Sequence, residues 1–234
     1  MTAAIFSTPE SKRSYNRSLF KEVAPQYDRV TRVLSFGQDA SWKKWLLKQL
    51  PSDNPHEILD LACGTGDLTR ALATQYPHAH VTGLDLTPEM LTLAQGPHQI
   101  TWQEGDMCDL DIADHSIDVV TGGYALRNAP DLETCIQEIS RVLRPGGTAA
   151  FLDFSAPVNP WLRKLHFGLL WIWGAIWGTC FHGKPSVYTY IADSLARFPD
   201  HKQLRTHFAT HHLIEVTHRR YMMGMIEIIV FKKD

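Results

Sequence analysis

The residues best equipped for chemistry begin at Ile58, where the apolar run ILDLA carries Asp60 into Cys63-Gly64-Thr65-Gly66 and a helix-like pattern follows from Leu68. A glycine-bearing turn between a strand and a helix lets a nucleotide-like cofactor approach the backbone closely. Its spacing is not that of a dinucleotide fingerprint, because Gly64 and Gly66 are followed by Asp67, Leu68 and Thr69 with no third glycine. Asp67 at the start of the helix would also repel a pyrophosphate. The turn therefore suits a cofactor that presents no phosphate and carries positive charge.

Acidic residues stand at intervals that match such a ligand. Asp60 ends the first apolar run, Asp85 ends HVTGLD 19 residues after Gly66, and Asp106 lies 21 residues further on in QEGDM. A carboxylate at the second position can accept both hydroxyls of a ribose, and one at the third can accept an adenine amine. S-adenosylmethionine, with its sulfonium, α-ammonium, ribose diol and adenine, is the cofactor that this ladder predicts. No metal is required.

The elements that must position these groups are legible as a change of period. Phe20 to Leu50 is apolar with helical spacing, Trp42 and Trp45 sharing a face with Leu46 and Leu50. After PSDNPHE, short apolar runs alternate with helical segments: ILDLA, HVTGLDL, ITWQEGD, IDVVTGG and, after RPGG, TAAFLDF. That alternation predicts a doubly wound α/β fold with helices on both faces of a parallel sheet. The final HHLIEVTHRRYMMGMIEIIVFKKD reads as two antiparallel strands joined near Gly224. Two units are expected, a helical lid segment over residues 1–50 and a cofactor-binding domain over 51–234, with an apolar cap at 157–200.

With these motifs on the page, the chain resembles the class I S-adenosylmethionine-dependent methyltransferases and, more narrowly, the ubiquinone/menaquinone biosynthesis C-methyltransferase family. VAPQYDRVTRVLSFGQDASWKK, LDLACGTGDLT, YALRNAPDLETCIQEISRVLRPGG, LDFSAP and YTYIADSLARFPD carry the resemblance from about Leu19 to the C-terminus. It implies a mostly parallel seven-stranded sheet with an antiparallel C-terminal strand. It implies a cofactor set of Asp60, Gly64, Thr65, Gly66, Asp85, Leu86, Met90, Asp106, Met107 and Gly123, with Tyr27 closing over the site. The implied reaction moves a methyl group from sulfonium to a ring carbon of a polyprenylated hydroquinone. Arg127 and Asn128 of YALRN are then the leading catalytic candidates, Arg127 as an electrostatic partner of the developing phenolate, since arginine stays protonated. Asp153 of LDFSAP, expected to face the cleft, either assists deprotonation or caps the following turn.

Leu165 to Phe181, LHFGLLWIWGAIWGTCF, is marginal for a bilayer span and reads rather as a helix over the active site, a wall for a long isoprenoid tail with Trp171, Trp173 and Trp177 as lining candidates. The formal charge of −2 on 234 residues gives no reason to expect nucleic acid. The four cysteines are scattered, and MTAAIFSTPESKRSYNRSLF lacks the apolar core of a signal peptide, so a cytoplasmic protein is expected, with room for peripheral membrane contact and for a homodimer. His207 and His211 stand at i,i+4 but read as a solvated helix face rather than metal ligands. Two alternatives stay open: a methyltransferase of another lipophilic phenol or aromatic natural product, and a non-catalytic cofactor-binding assembly component.

Overall fold

A computed structural model describes residues 5–157 and 159–234. The expected lid and cap segments each reach beyond these, to residues 1–4 and to residue 158. Three helices lead in: α1 (Pro9–Val23), α2 (Tyr27–Leu34) and α3 (Asp39–Leu47). Sequence periodicity starts the helical region near Phe20, whereas α1 begins at Pro9, where the Thr8 side chain accepts from the Ser11 N–H and proline occupies the first turn. Apolar spacing is sparse there because most of α1 is polar, with only Asn16, Leu19 and Val23 buried.

The sheet comprises β1 (Glu57–Leu61), β2 (His80–Asp85), β3 (Ile100–Glu104), β4 (Ile117–Gly123), β5 (Leu143–Phe154), β6 (Leu213–Tyr221) and β7 (Ile226–Lys233). Its order is β3-β2-β1-β4-β5-β7-β6. The first five strands pair in parallel, and β7 runs antiparallel between β5 and β6. The connections include α4 (Asp67–Gln75), the four-residue α5 (Pro88–Leu91) and α6 (Leu132–Val142). Central strands are buried on both faces: Leu59, Leu61 and Val120 enter one core cluster, Ile58 and Val119 the other.

The apolar cap is a helical hairpin, α7 (Pro160–His182) against α8 (Ser186–Leu195), followed by α9 (His201–Thr210). The backbones approach closely at Gly174, where a Cβ would lie 2.7 Å from the Tyr188 carbonyl oxygen. No helix among the described residues is long and apolar enough to cross a membrane.

Candidate active site

The chain reverses after β1 through Ala62, Gly64 and Gly66, all at positive φ, and Gly66 (φ +84°) starts α4. Gly66 is required twice over, because a Cβ there would meet the Trp102 ring at 2.3 Å. The turn holds the Gly64 N–H against Asp85, whose Oδ2 accepts from it at 2.8 Å while Oδ1 accepts from the Thr87 N–H at 2.8 Å. Burial pushes the Asp85 carboxyl up, and these two amides oppose the shift. Asp85, Leu86, Met90, Asp106, Met107, Gly64 and Gly123 line a narrow cleft of about 50 Å³, roofed by Asn16 and Phe20 of α1 and by Tyr27.

Three expected cofactor residues lie outside that lining. Asp60 is fully buried and shares its side of β1 with Ile58, facing α4; its oxygens accept from the Thr69 and Thr121 hydroxyls at 2.7 and 2.8 Å. Period-two alternation in the strand thus turns it away from the crevice. Thr65 donates its hydroxyl to Asp28 at 2.5 Å and so ties the turn to α2. Gly66 acts through the backbone and through Trp102. Asp106 lines the cleft but is already engaged: Oδ2 accepts from the Arg13 guanidinium at 2.5 Å and Oδ1 from the Cys108 N–H at 2.9 Å.

A polar network absent from the sequence reading fixes the floor. Lys43 of α3 donates to Asp39 at 2.6 Å and to Asp67 at 2.5 Å, and the Tyr124 hydroxyl donates to Asp39 at 2.7 Å. Burial works against the Lys43 charge, but Asp67 and Asp39 outweigh it and hold the ammonium protonated. The network clamps Tyr124, a non-glycine residue at φ +61°, whose strained backbone also anchors through its N–H on the Leu152 carbonyl.

Arg127 and Asn128 lie in a 3₁₀ turn, Leu126–Asn128, just past β4. Both are buried. The Arg127 guanidinium donates to the Ser194 hydroxyl of α8, stacks over Phe154, and keeps its Nε 3.7 Å from Asp153 Oδ1. That Nε has no hydrogen-bond partner, and neither has Asn128 Oδ1, whose amide nitrogen donates to the Tyr124 carbonyl at 2.8 Å. Asp153 does not face the cleft: Oδ2 accepts from the Arg127 N–H at 3.0 Å and Oδ1 from the Phe154 N–H at 2.8 Å. Its bond to the Phe154 N–H accords with capping the segment that follows, and beyond the two roles expected for it Asp153 anchors the ALRN turn and counters the buried guanidinium. From above, Lys12 donates to the Arg127 carbonyl at 3.1 Å and Asn16 to the Asn128 carbonyl at 2.6 Å, so α1 is hydrogen-bonded to the ALRN turn itself.

Beside the cleft opens an apolar cavity of about 530 Å³, bounded by α1, α2, α7 and α8. Arg127, Asn128, Tyr27, Tyr124 and Phe20 line it, and all of these except Arg127 also line the cleft. Trp173 is in the wall as expected, stacked on Phe36. Trp171 instead points outward, half exposed, because two residues along the helix set it on the side opposite Trp173, while Trp177, one turn on from Trp173, packs between Trp173 and Phe181 and does not line the cavity.

Glu133 of α6 contacts His207 at 2.8 Å and His211 at 2.7 Å, which ties α6 to the end of α9. His201 of α9 and Glu215 and His218 of β6 bring donor atoms within 4.8 Å of one another. Arg205 beside Glu215 and Arg220 on the neighbouring Glu227 offset the acids there.

The family model for the ubiE/COQ5 methyltransferases matches residues 8–233. The chain belongs to that family. A demethylmenaquinone methyltransferase of Desulfitobacterium hafniense is 34% identical over 96% of this chain and 92% of its own length. A 2-phytyl-1,4-naphtoquinone methyltransferase of Nostoc punctiforme is also 34% identical, over 93% and 97%. Among solved structures, a Thermotoga maritima S-adenosylmethionine-dependent methyltransferase superposes with a TM-score of 0.69 at 15% identity, covering 93% of this chain and 99% of its own, which shows the shared fold.

The chain is therefore a methyltransferase that uses S-adenosylmethionine, and the residues lining its cleft, narrow as it stands under α1, suit that cofactor. Asp85 spends one lone pair of each oxygen on the loop amides and keeps one on each for a ribose diol. Leu86, Met90 and Met107 offer the apolar walls that an adenine needs, and Asp106 flanks them.

Proposed function

We propose that this methyltransferase transfers the methyl group to a ring carbon of a prenylated hydroquinone, with the acceptor in the apolar cavity and the cofactor in the cleft. The observation that carries this reading is the junction of the two spaces at Phe20, Tyr27, Tyr124 and Asn128, where a ring can meet a sulfonium while its tail stays among apolar side chains. Bound S-adenosylmethionine supplies an electrophilic methyl group. Arg127 supplies a buried, permanent positive charge beside the ring, which favours the phenolate that makes the adjacent carbon nucleophilic. Asn128 presents its unpartnered carbonyl oxygen to the ring hydroxyl, and Tyr27 excludes water. In this reading α1 is a lid that also completes the acceptor site.

The cavity opens on an apolar surface. Phe36, Leu165, Leu169, Ile172 and Met223 line it and are exposed at its rim, with Trp161 (85% exposed) at the start of α7 and Trp171 beside Ile172 on its outer side. A patch of this kind marks an interaction face, and Arg163 and Lys164 beside it suit anionic headgroups. We infer that this face rests on the bilayer in which such acceptors dissolve. The test is kcat/KM for matched hydroquinones with and without a prenyl tail: a preference of 100-fold or more for the tailed acceptor is expected, and equal values would remove the cavity's role.

A further inference from the structure

His166 is 2% exposed, lines the apolar cavity from α7, and has no hydrogen-bond partner at either ring nitrogen. Leaving a polar group buried and unpaired costs on the order of 1–3 kcal/mol. An apolar residue would seal this wall of leucines and aromatics without that cost. Such a group needs an explanation, and a ligand that completes its hydrogen bonds provides one. Arg127 Nε, Asn128 Oδ1 and Trp173 Nε1, all on residues lining the same cavity, are unpartnered as well. The unpartnered polar atoms on cavity-lining residues thus come from two separate elements, the ALRN turn at the cofactor junction and α7 in the cap.

A hydroquinone has two hydroxyls on opposite sides of one ring. Asn128 lies at the junction with the cleft, so the ALRN turn meets the hydroxyl next to the carbon that is methylated. His166 borders only the acceptor cavity. We propose that His166 hydrogen-bonds the second hydroxyl, the one remote from the methylated carbon, and thereby selects hydroquinones over monophenols. This rests on the acceptor reading above. Burial holds the imidazole below its ordinary pKa, so near neutral pH it carries one N–H and one lone pair and can either donate to or accept from that hydroxyl.

The test pairs a change in the ligand with a change in the protein. A prenylated 1,4-hydroquinone and its analogue lacking the remote hydroxyl are compared on the wild type, His166→Phe and His166→Gln. In the wild type the hydroquinone is favoured by about tenfold or more. In His166→Phe the preference falls to within twofold of unity, and His166→Gln, which can still hydrogen-bond, retains part of it. His166→Phe also melts higher than the wild type without ligand, because an unpaired polar group has left the core. A preference unchanged in His166→Phe, or absent from the wild type, overturns the proposal. The same ratio read from dissociation constants with S-adenosylhomocysteine bound requires no turnover. It therefore decides the role of His166 even if neither acceptor is methylated, an outcome that would count against the acceptor reading alone.

Discussion

At the scale of the residue, Arg127 is a guanidinium held in an apolar wall by one hydroxyl, one carboxylate and an aromatic face. Arg127→Lys keeps the charge but loses the planar fork, and is expected to lower kcat by 10-fold to 100-fold while leaving cofactor affinity within about threefold. Asp60 gives a prediction of stability. Burial, opposed by the Thr69 and Thr121 hydroxyls, raises its carboxyl to about 6. A carboxyl whose folded pKa is raised favours the native state while protonated and loses that contribution as pH rises from its unfolded value to about 6. Relative to Asp60→Asn, the wild type should therefore lose about 3 kcal/mol across that window in urea unfolding; a constant difference would mean that the carboxyl titrates normally. Strand-end positions such as Asp85, Asp106 and Met107 could be read from sequence, because the end of a parallel strand fixes where a side chain points. Asp28, Lys43 and His166 could not. Each is brought in by packing of an element far away in the chain; VAPQYDRVTRVLSFGQDASWKK, which carries the family resemblance, contains Asp28 and Lys43 but does not say what either bonds.

At the scale of the element, two of the three glycines of α7, Gly168 and Gly174, separate packing from propensity. Gly168 has nothing within 4 Å of an added Cβ, whereas at Gly174 the neighbour is the backbone of α8. Gly168→Ala should stabilise the protein by about 0.5–1 kcal/mol and Gly174→Ala should destabilise it by about 1–3 kcal/mol in the same urea titration. Helix α1 is pinned to the edge of the cleft by Arg13 on Asp106, Arg17 on Glu104 at 2.7 Å and Lys21 on Glu89 at 2.7 Å. Because these pairs are partly exposed, Arg13→Ala should speed cofactor association by no more than about fivefold, followed by tryptophan fluorescence. A slower association would show that Arg13 guides the cofactor rather than bars it. The apolar cap was visible as a hydrophobic segment, but its hairpin form was not, since the glycines that let α7 meet α8 resemble helix breakers when read along the chain.

At the scale of the whole molecule, the parallel α/β sheet follows from the alternation of apolar runs and the antiparallel pair at the C-terminus from the turn near Gly224, whereas the order β3-β2-β1-β4-β5-β7-β6 comes from the structure. The relation between cleft, cavity and outer apolar face follows from neither, because it depends on α1, α7 and α8 converging on one end of the sheet. If that face meets a bilayer, Trp161→Ser with Trp171→Ser should reduce co-flotation with anionic vesicles by at least about fivefold. Turnover of a detergent-dispersed, short-tailed acceptor should stay unchanged, as neither tryptophan lines the cavity. Equal flotation of both proteins would place membrane contact elsewhere.

The most direct test is to incubate the purified protein with methyl-labelled S-adenosylmethionine and a reduced, prenylated benzoquinol or naphthoquinol, and to locate the label by mass spectrometry. Label on a ring carbon, with loss of the ring proton it replaces, is the predicted result. Label on oxygen, or cofactor binding without transfer to either quinol, would contradict ring-carbon methylation at the junction of cleft and cavity.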